Sequence, residues 1–169
     1  MYKALGVILL VVGCVYYIYT LICDRKEKLQ NLKEIKKAII CFEQELSFSV
    51  PEIVVLCEKA SNVTNGEVSR MFADIGENLR REKNTDFGMA WESVQISKEN
   101  FDNETKDVLQ GLFYEFGKKS LEIELANLKR VQTFLEEKEN TEAKKYAEER
   151  KLICTLGVAF CATVIVIAI

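Results

Sequence analysis

The sequence predicts an all-α protein: an antiparallel bundle of about six helices set between an N-terminal and a C-terminal transmembrane helix. Three observations predict it. Apolar residues through the middle recur at steps of three and four, the period of one helix face, and no window alternates with the period of a strand. The one proline, Pro51, leaves long stretches free to be helical. Charge is confined to the middle: residues 4–22 and 152–169 carry none, while 22 of the 23 bases and all 26 acids lie in residues 23–151. The expected organisation is a transmembrane helix over 1–23, a helical bundle with a long terminal stalk over 24–151, and a second transmembrane helix over 152–169.

The first apolar run is 19 residues and the second 18, close to the roughly 20 that a span needs at 1.5 Å per residue. Lipid offers no water to backbone groups, so each run is expected to be helical. Tyr16, Tyr17 and Tyr19 cluster at the charged end of the first run, where an interfacial aromatic belt would sit. Arg25, Lys26, Lys28, Lys33, Lys36 and Lys37 follow it, and Lys138, Lys144, Lys145, Arg150 and Lys151 precede the second; only Lys3 lies beyond. Bases mark the cytoplasmic side, which puts the middle in the cytoplasm of a cell-membrane protein and both termini outside. A rival reading takes Val11-Val12-Gly13-Cys14 as a bacterial lipobox that would export the domain, but the chain stays apolar through Ile22 instead of turning polar after Cys14.

Leu29, Leu32, Ile35, Ile39, Phe42 and Leu46 form one face, and no Gly or Pro interrupts from Asp24 to Phe48, so this helix continues out of the first span. Ser49-Val50-Pro51-Glu52 reads as a stop and restart, with Pro51 in the first turn of the next helix. Ile53, Val54, Cys57 and Ala60 make a short stripe, and residues 62–66 read as a loop. Val68, Met71, Phe72, Ile75 and Leu79 define a third helix ending in Arg80, Arg81 and Lys83. Thr85 or Asp86 caps a fourth, carrying Phe87, Ala90, Trp91 and Val94. Asp102 or Asn103 caps a fifth, carrying Val108, Leu109, Leu112, Phe113 and Phe116, and Gly117 ends it. Ser120 caps the last, with Leu121, Leu125, Leu128, Val131 (or Gln132) and Leu135 as its stripe. Beyond Leu135 the sequence turns to charge and reads as a solvated stalk running into the second span. Residues 120–151 reach roughly 48 Å at 1.5 Å per residue.

Composition excludes several functions. Without histidine there is no Ser-His-Asp or Cys-His nucleophile pair and no imidazole metal ligand. Neither common glycine-rich phosphate loop is present. The middle carries 22 bases against 26 acids, a net charge of −4, which argues against nucleic acid. The six cysteines form no C-x-x-C pair and read as reduced small hydrophobes. The expectation is a non-enzymatic protein with no cofactor, no metal and no catalytic residue.

Certain residues carry a resemblance: Glu45-Leu46 followed by Val50-Pro51-Glu52-Ile53, then Ala90-Trp91-Glu92, Phe116-Gly117 and Leu156-Gly157-Val158. With the order span, long helix, Pro-started helix, Trp helix, Gly-ended helix, long helix and span, the whole chain resembles the stage III sporulation protein AB family of endospore-forming bacteria. Ser120 and Glu124 depart from it, since the family commonly shows Asp and Gln there, and any contact specific to that pair is in doubt. The resemblance implies a cytoplasmic helical domain similar to those of the platform proteins of type II secretion and type IV pili. It also implies a place in the membrane channel between mother cell and forespore, with other channel subunits and a cytoplasmic secretion-type ATPase as partners. It favours that role over the alternative, an autonomous membrane-tethered helical sensor or tether unrelated to secretion.

Each candidate residue has a plainer reading beside the functional one. Arg25, Lys26, Lys28, Lys144, Lys145, Arg150 and Lys151 either dock the bundle on anionic headgroups or only set topology during insertion. Trp91 either anchors a partner or, as the step Phe87, Trp91, Val94 favours, packs in the core. Glu43, Glu45 and Glu52, and Glu136, Glu137 and Glu139, either meet a basic partner or form a solvated face. Glu45, Pro51, Trp91, Gly117, Ser120 and Gly157 are the family-pattern positions that a partner contact would use.

Overall fold

A computed structural model describes the backbone of residues 2–81, 85–94 and 101–168, with side chains for all of these except 2–11, 14, 18, 154, 156 and 158–168. It has six helices: α1 (Tyr2–Phe48), α2 (Ile53–Val63), α3 (Gly66–Arg81), α4 (Phe87–Ser93), α5 (Asn103–Glu115) and α6 (Leu121–Ala168). Among the described residues there is no strand. The chain divides into two compact units. One is Gln30–Glu139; the other joins Met1–Leu29 to Asn140–Ile169.

The Gln30–Glu139 unit has a core drawn from all six helices. The expected face of α1 is buried from Leu32 through Ile35, Ile39 and Phe42 to Leu46, and α3 buries Val68, Met71, Phe72 and Ile75. Phe87, Ala90, Trp91 and Val94 are buried together with Leu109, Leu112, Phe113 and Phe116. At the centre, the Phe42 ring meets those of Phe72, Phe87, Phe113 and Phe116 with centroids 5.5 to 6.4 Å apart. Trp91 stacks on Phe113 at 4.7 Å and Phe87 on Phe113 at 4.6 Å, within the range where tilted aromatic pairs attract.

Contacts between consecutive helices run in opposite senses along the chain, which makes the neighbours antiparallel. From α2 to α3, Ser61 bonds Ser69 while Glu58 pairs with Arg80. From α4 to α5, Asp86 pairs with Lys118, which follows α5, while Glu92 accepts from Gln110. α1 and α6 pair the same way: Lys36 meets Glu139, and seven residues further Glu43 accepts from Gln132.

Several sequence expectations are corrected by packing. Pro51 lies before the N-cap, not in the first turn: Glu52 is extended, and its carbonyl receives the first backbone bonds, from Val55 and Leu56. The α2 stripe is centred on Leu56, Cys57 and Ala60, because α3 lies over that side; Ile53 and Val54 are only half-buried. The α2–α3 loop is two residues, Thr64 and Asn65, with Gly66 at φ +65° opening α3. That short link works because the Thr64 hydroxyl closes α2 on the Ala60 carbonyl. Leu121 is exposed, and the α6 stripe is buried only from Leu128 through Val131 to Leu135. The charged stretch after Leu135 is not simply solvated, since Lys138 pairs with Asp102 and Glu104, and Glu139 with Lys36. Lys83 lies outside the described residues.

In the terminal unit the helical backbone of α1 begins at Tyr2 and that of α6 ends at Ala168. Among the described residues no helix is long and apolar enough to cross a membrane. Much of the first uncharged run, and most of the second, has side chains outside the described residues. Within this unit Arg25 Nε lies 3.5 Å from Glu149.

Candidate functional site

The sequence-selected positions Glu45, Pro51, Gly117 and Ser120 gather at one end of the Gln30–Glu139 unit, where α1 and α5 stop and α2 and α6 start. A Cβ added at Gly117 would stand 3.4 Å from Ile53 Cδ1, so the α1–α2 and α5–α6 connections lie against each other. The α5–α6 turn follows from its residues. Phe116 is buried in the aromatic centre and fixes the end of α5. The chain then reverses through Gly117 at φ +81°, a left-handed conformation that costs glycine little and a side chain much. The reversal leaves the Gly117 N–H outside α5, and it donates to Glu124 Oε1 at 2.6 Å. Ser120 contributes its carbonyl to the Glu124 N–H at 3.0 Å, the first backbone bond of α6.

Glu124 is therefore a buried positioning residue, and this is the contact that its departure from the family pattern left in doubt. A Gln amide oxygen accepts from the same N–H, so either residue can hold the turn. Sequence reasoning missed this role because Glu124 is four residues past Ser120, whereas a capping box places the acid at three.

The acids at this end are largely partnered within the chain. Glu45 pairs with Lys59, Glu43 with Gln132 and Lys129, and Glu115 with Lys119. Asp86 caps α4 by accepting from the Met89 N–H at 2.8 Å and pairs with Lys118 at 2.7 Å. The Lys118 ammonium, first, and the Met89 N–H hold the Asp86 carboxyl below the usual carboxylate range. Glu52 is exposed.

Trp91 is not at this end; at 2% exposure it is core, as its helical step favours. The α4–α5 packing beside it has a feature that the periodicity does not show. Gly88, one residue past the start of α4, lets Tyr114 of α5 approach so closely that a Cβ would stand 2.8 Å from its ring. Gly157 lies in α6 within the terminal unit. The seven basic flanks, Arg25, Lys26, Lys28, Lys144, Lys145, Arg150 and Lys151, are all exposed and belong to that unit. Arg25 is paired with Glu149 and Lys145 with Glu142.

The free thiols among the described residues are Cys23, Cys41 and Cys57. Burial pushes the Cys57 thiol up to about 12 and raises Cys41 as well, which leaves both as packing groups with little thiolate. Among the described residues no group of three His, Cys, Asp or Glu is placed to hold a metal ion.

The family model of stage III sporulation protein AB matches residues 3–169. No curated protein and no solved structure shows a significant match. The match covers nearly the whole chain, and the chain belongs to the stage III sporulation protein AB family, whose role is in sporulation.

Proposed function

We propose that this sporulation protein is a non-enzymatic, membrane-anchored component of the channel between mother cell and forespore, and that it couples a cytoplasmic secretion-type ATPase to the membrane complex. The observation that carries the reading is that α1 and α6 each run unbroken from an uncharged sequence run into the helical core. A chain anchored in this way at both ends holds its core at the membrane, where a channel component has to sit. The two runs act as the spans, the basic flanks face anionic headgroups on the mother-cell side, and the end of the core that gathers Glu45, Pro51, Gly117 and Ser120 is free for partners. Family membership supports the sporulation context.

Two experiments test this. The full chain, extracted from sporulating cells in mild detergent, should bring the ATPase with it, and purification without the ATPase overturns the coupling. Orientation needs an exposed reporter, because Cys41 and Cys57 are buried. Ala73→Cys on the outer side of α3 should stay unlabelled by an impermeant maleimide in intact cells and react once the membrane is opened. Labelling from outside reverses the topology.

A further inference from the structure

We propose that the end of the core bearing the α1–α2 and α5–α6 connections docks a partner protein through an apolar contact rimmed by acids, and that the matching surface is an apolar stretch flanked by Lys or Arg. Among the described residues of the Gln30–Glu139 unit the exposed large hydrophobics are Phe48, Val50, Val63, Met89, Leu121 and Ile123, and all but Val63 lie at this end. Phe48 is 91% exposed and Val50 72%. Single exposed apolar residues are ordinary; five from four chain segments at one end are not. The helix registers place these segments at the same end of the unit. Lys36 meets Glu139 and Glu43 meets Gln132, so α1 ends about level with residue 127 of α6, less than two turns from Leu121. Met89 joins them through Asp86, which accepts from its N–H and pairs with Lys118 beside Gly117.

The rim decides the occupant. Lys59, Lys118 and Lys119 are each held by an acid of the chain itself, Glu45, Asp86 and Glu115. Glu52 and Glu122 are exposed beside the apolar residues. The local field is acidic, and it repels both an anionic bilayer and a second copy of the same end. It favours a protein surface whose bases ring an apolar side chain, with the apolar contact supplying affinity and the acids selecting the partner. This rests on the reading of the chain as an assembly component, but not on which component it binds.

The test uses the full chain in its native membrane, with a benzophenone amino acid at position 48 or, as a control, at the exposed Ala73. After irradiation of sporulating cells, the cross-linked peptide is sequenced by mass spectrometry. The expected product is a stretch of another protein that is apolar with Lys or Arg beside it. Its yield should fall by about threefold or more in Glu52→Lys/Glu122→Lys, because rim charges chiefly steer association. A product with lipid, with a second copy or with an acidic stretch overturns the proposal. So does a yield no higher than at position 73, or one unmoved by the charge reversals. ATPase co-purification without a basic cross-link removes this docking end and leaves the coupling standing. A basic cross-link to a different protein does the reverse.

Discussion

The aromatic centre and the polar seam of the Gln30–Glu139 unit lie on the same helix, α1, and are built in opposite ways. In the centre, Phe42 is fully buried among rings from α3, α4 and α5, and the attraction is apolar and is not screened by salt as an ion pair is. In the seam, Lys36 and Glu43 of α1 meet Glu139, Gln132 and Lys129 of α6, with the lysines partly in water. Partly solvated charges add little net stability, but a pair formed at one residue and not its neighbour sets the register of two long helices. The centre holds the unit together; the seam fixes where α6 stands along α1.

The largest break in this contrast is Trp91→Ala. Removing a ring that is 2% exposed and stacked on Phe113 should cost about 3–5 kcal/mol, read as a fall in the thermal midpoint of the helical signal. An unchanged midpoint with lost partner binding would move Trp91 from the core to an interface.

Glu34 sharpens the comparison, being both polar and buried. Its carboxylate accepts from Asn65 N–H at 3.0 Å, Lys37 at 2.7 Å and Gln30 at 2.7 Å, tying the α2–α3 link to α1. Burial pushes its pKa up, but the bonds from Lys37, Asn65 and Gln30 outweigh burial and hold it below the usual value. A depressed carboxylate stabilises the fold above its unfolded pKa, and that stabilisation is lost as pH falls through the folded value. Glu34→Gln should cost about 1.5–3 kcal/mol near neutrality, since it exchanges charge-assisted bonds for neutral ones. The difference from the parent should shrink as pH falls below about 4, in urea midpoints measured across that range. A constant difference would remove the charge from the explanation.

The smallest effect belongs to Lys138, which Asp102 and Glu104 hold above the usual lysine range. Its partners are 48% and 63% exposed at the side chain, so Lys138→Gln should cost about 1 kcal/mol or less. A raised amine stabilises the fold below its unfolded pKa, and that stabilisation fades as pH rises through the folded value. The loss should therefore be visible at pH 7, shrink in 1 M salt and vanish at strongly alkaline pH. A cost of several kcal/mol, independent of salt, would make this pairing of α6 with the start of α5 a stability element, unlike the α1–α6 seam.

Helix positions and their buried faces were legible wherever the period ran long enough, as in Ile35, Ile39 and Phe42 or Met71, Phe72 and Ile75. Short segments were less so. In the eleven residues of α2, Ile53, Val54 and Leu56 fit a helical face in more than one way, and only the placement of α3 chose Leu56. Pro51 announced a restart, but its fixed φ suits the position before a cap as well as the first turn. Leu121 fitted the α6 stripe and lies outside the core, because α1 ends before it can cover that turn.

The sequence by itself determined the all-helical class, the two uncharged runs, the family and the aromatic residues of the core, because periodicity and hydropathy are local properties that each segment carries alone. The tertiary structure decided what depends on distant segments meeting. It set Glu124 against the Gly117 N–H, fitted Tyr114 over Gly88, buried Glu34 beneath the α2–α3 link and paired Lys138 with α5. It also left Phe48, Val50, Met89, Leu121 and Ile123 uncovered at one end. A charged or apolar side chain shows no sign in sequence of the partner it will meet, since that partner is fixed by the crossing of helices tens of residues away.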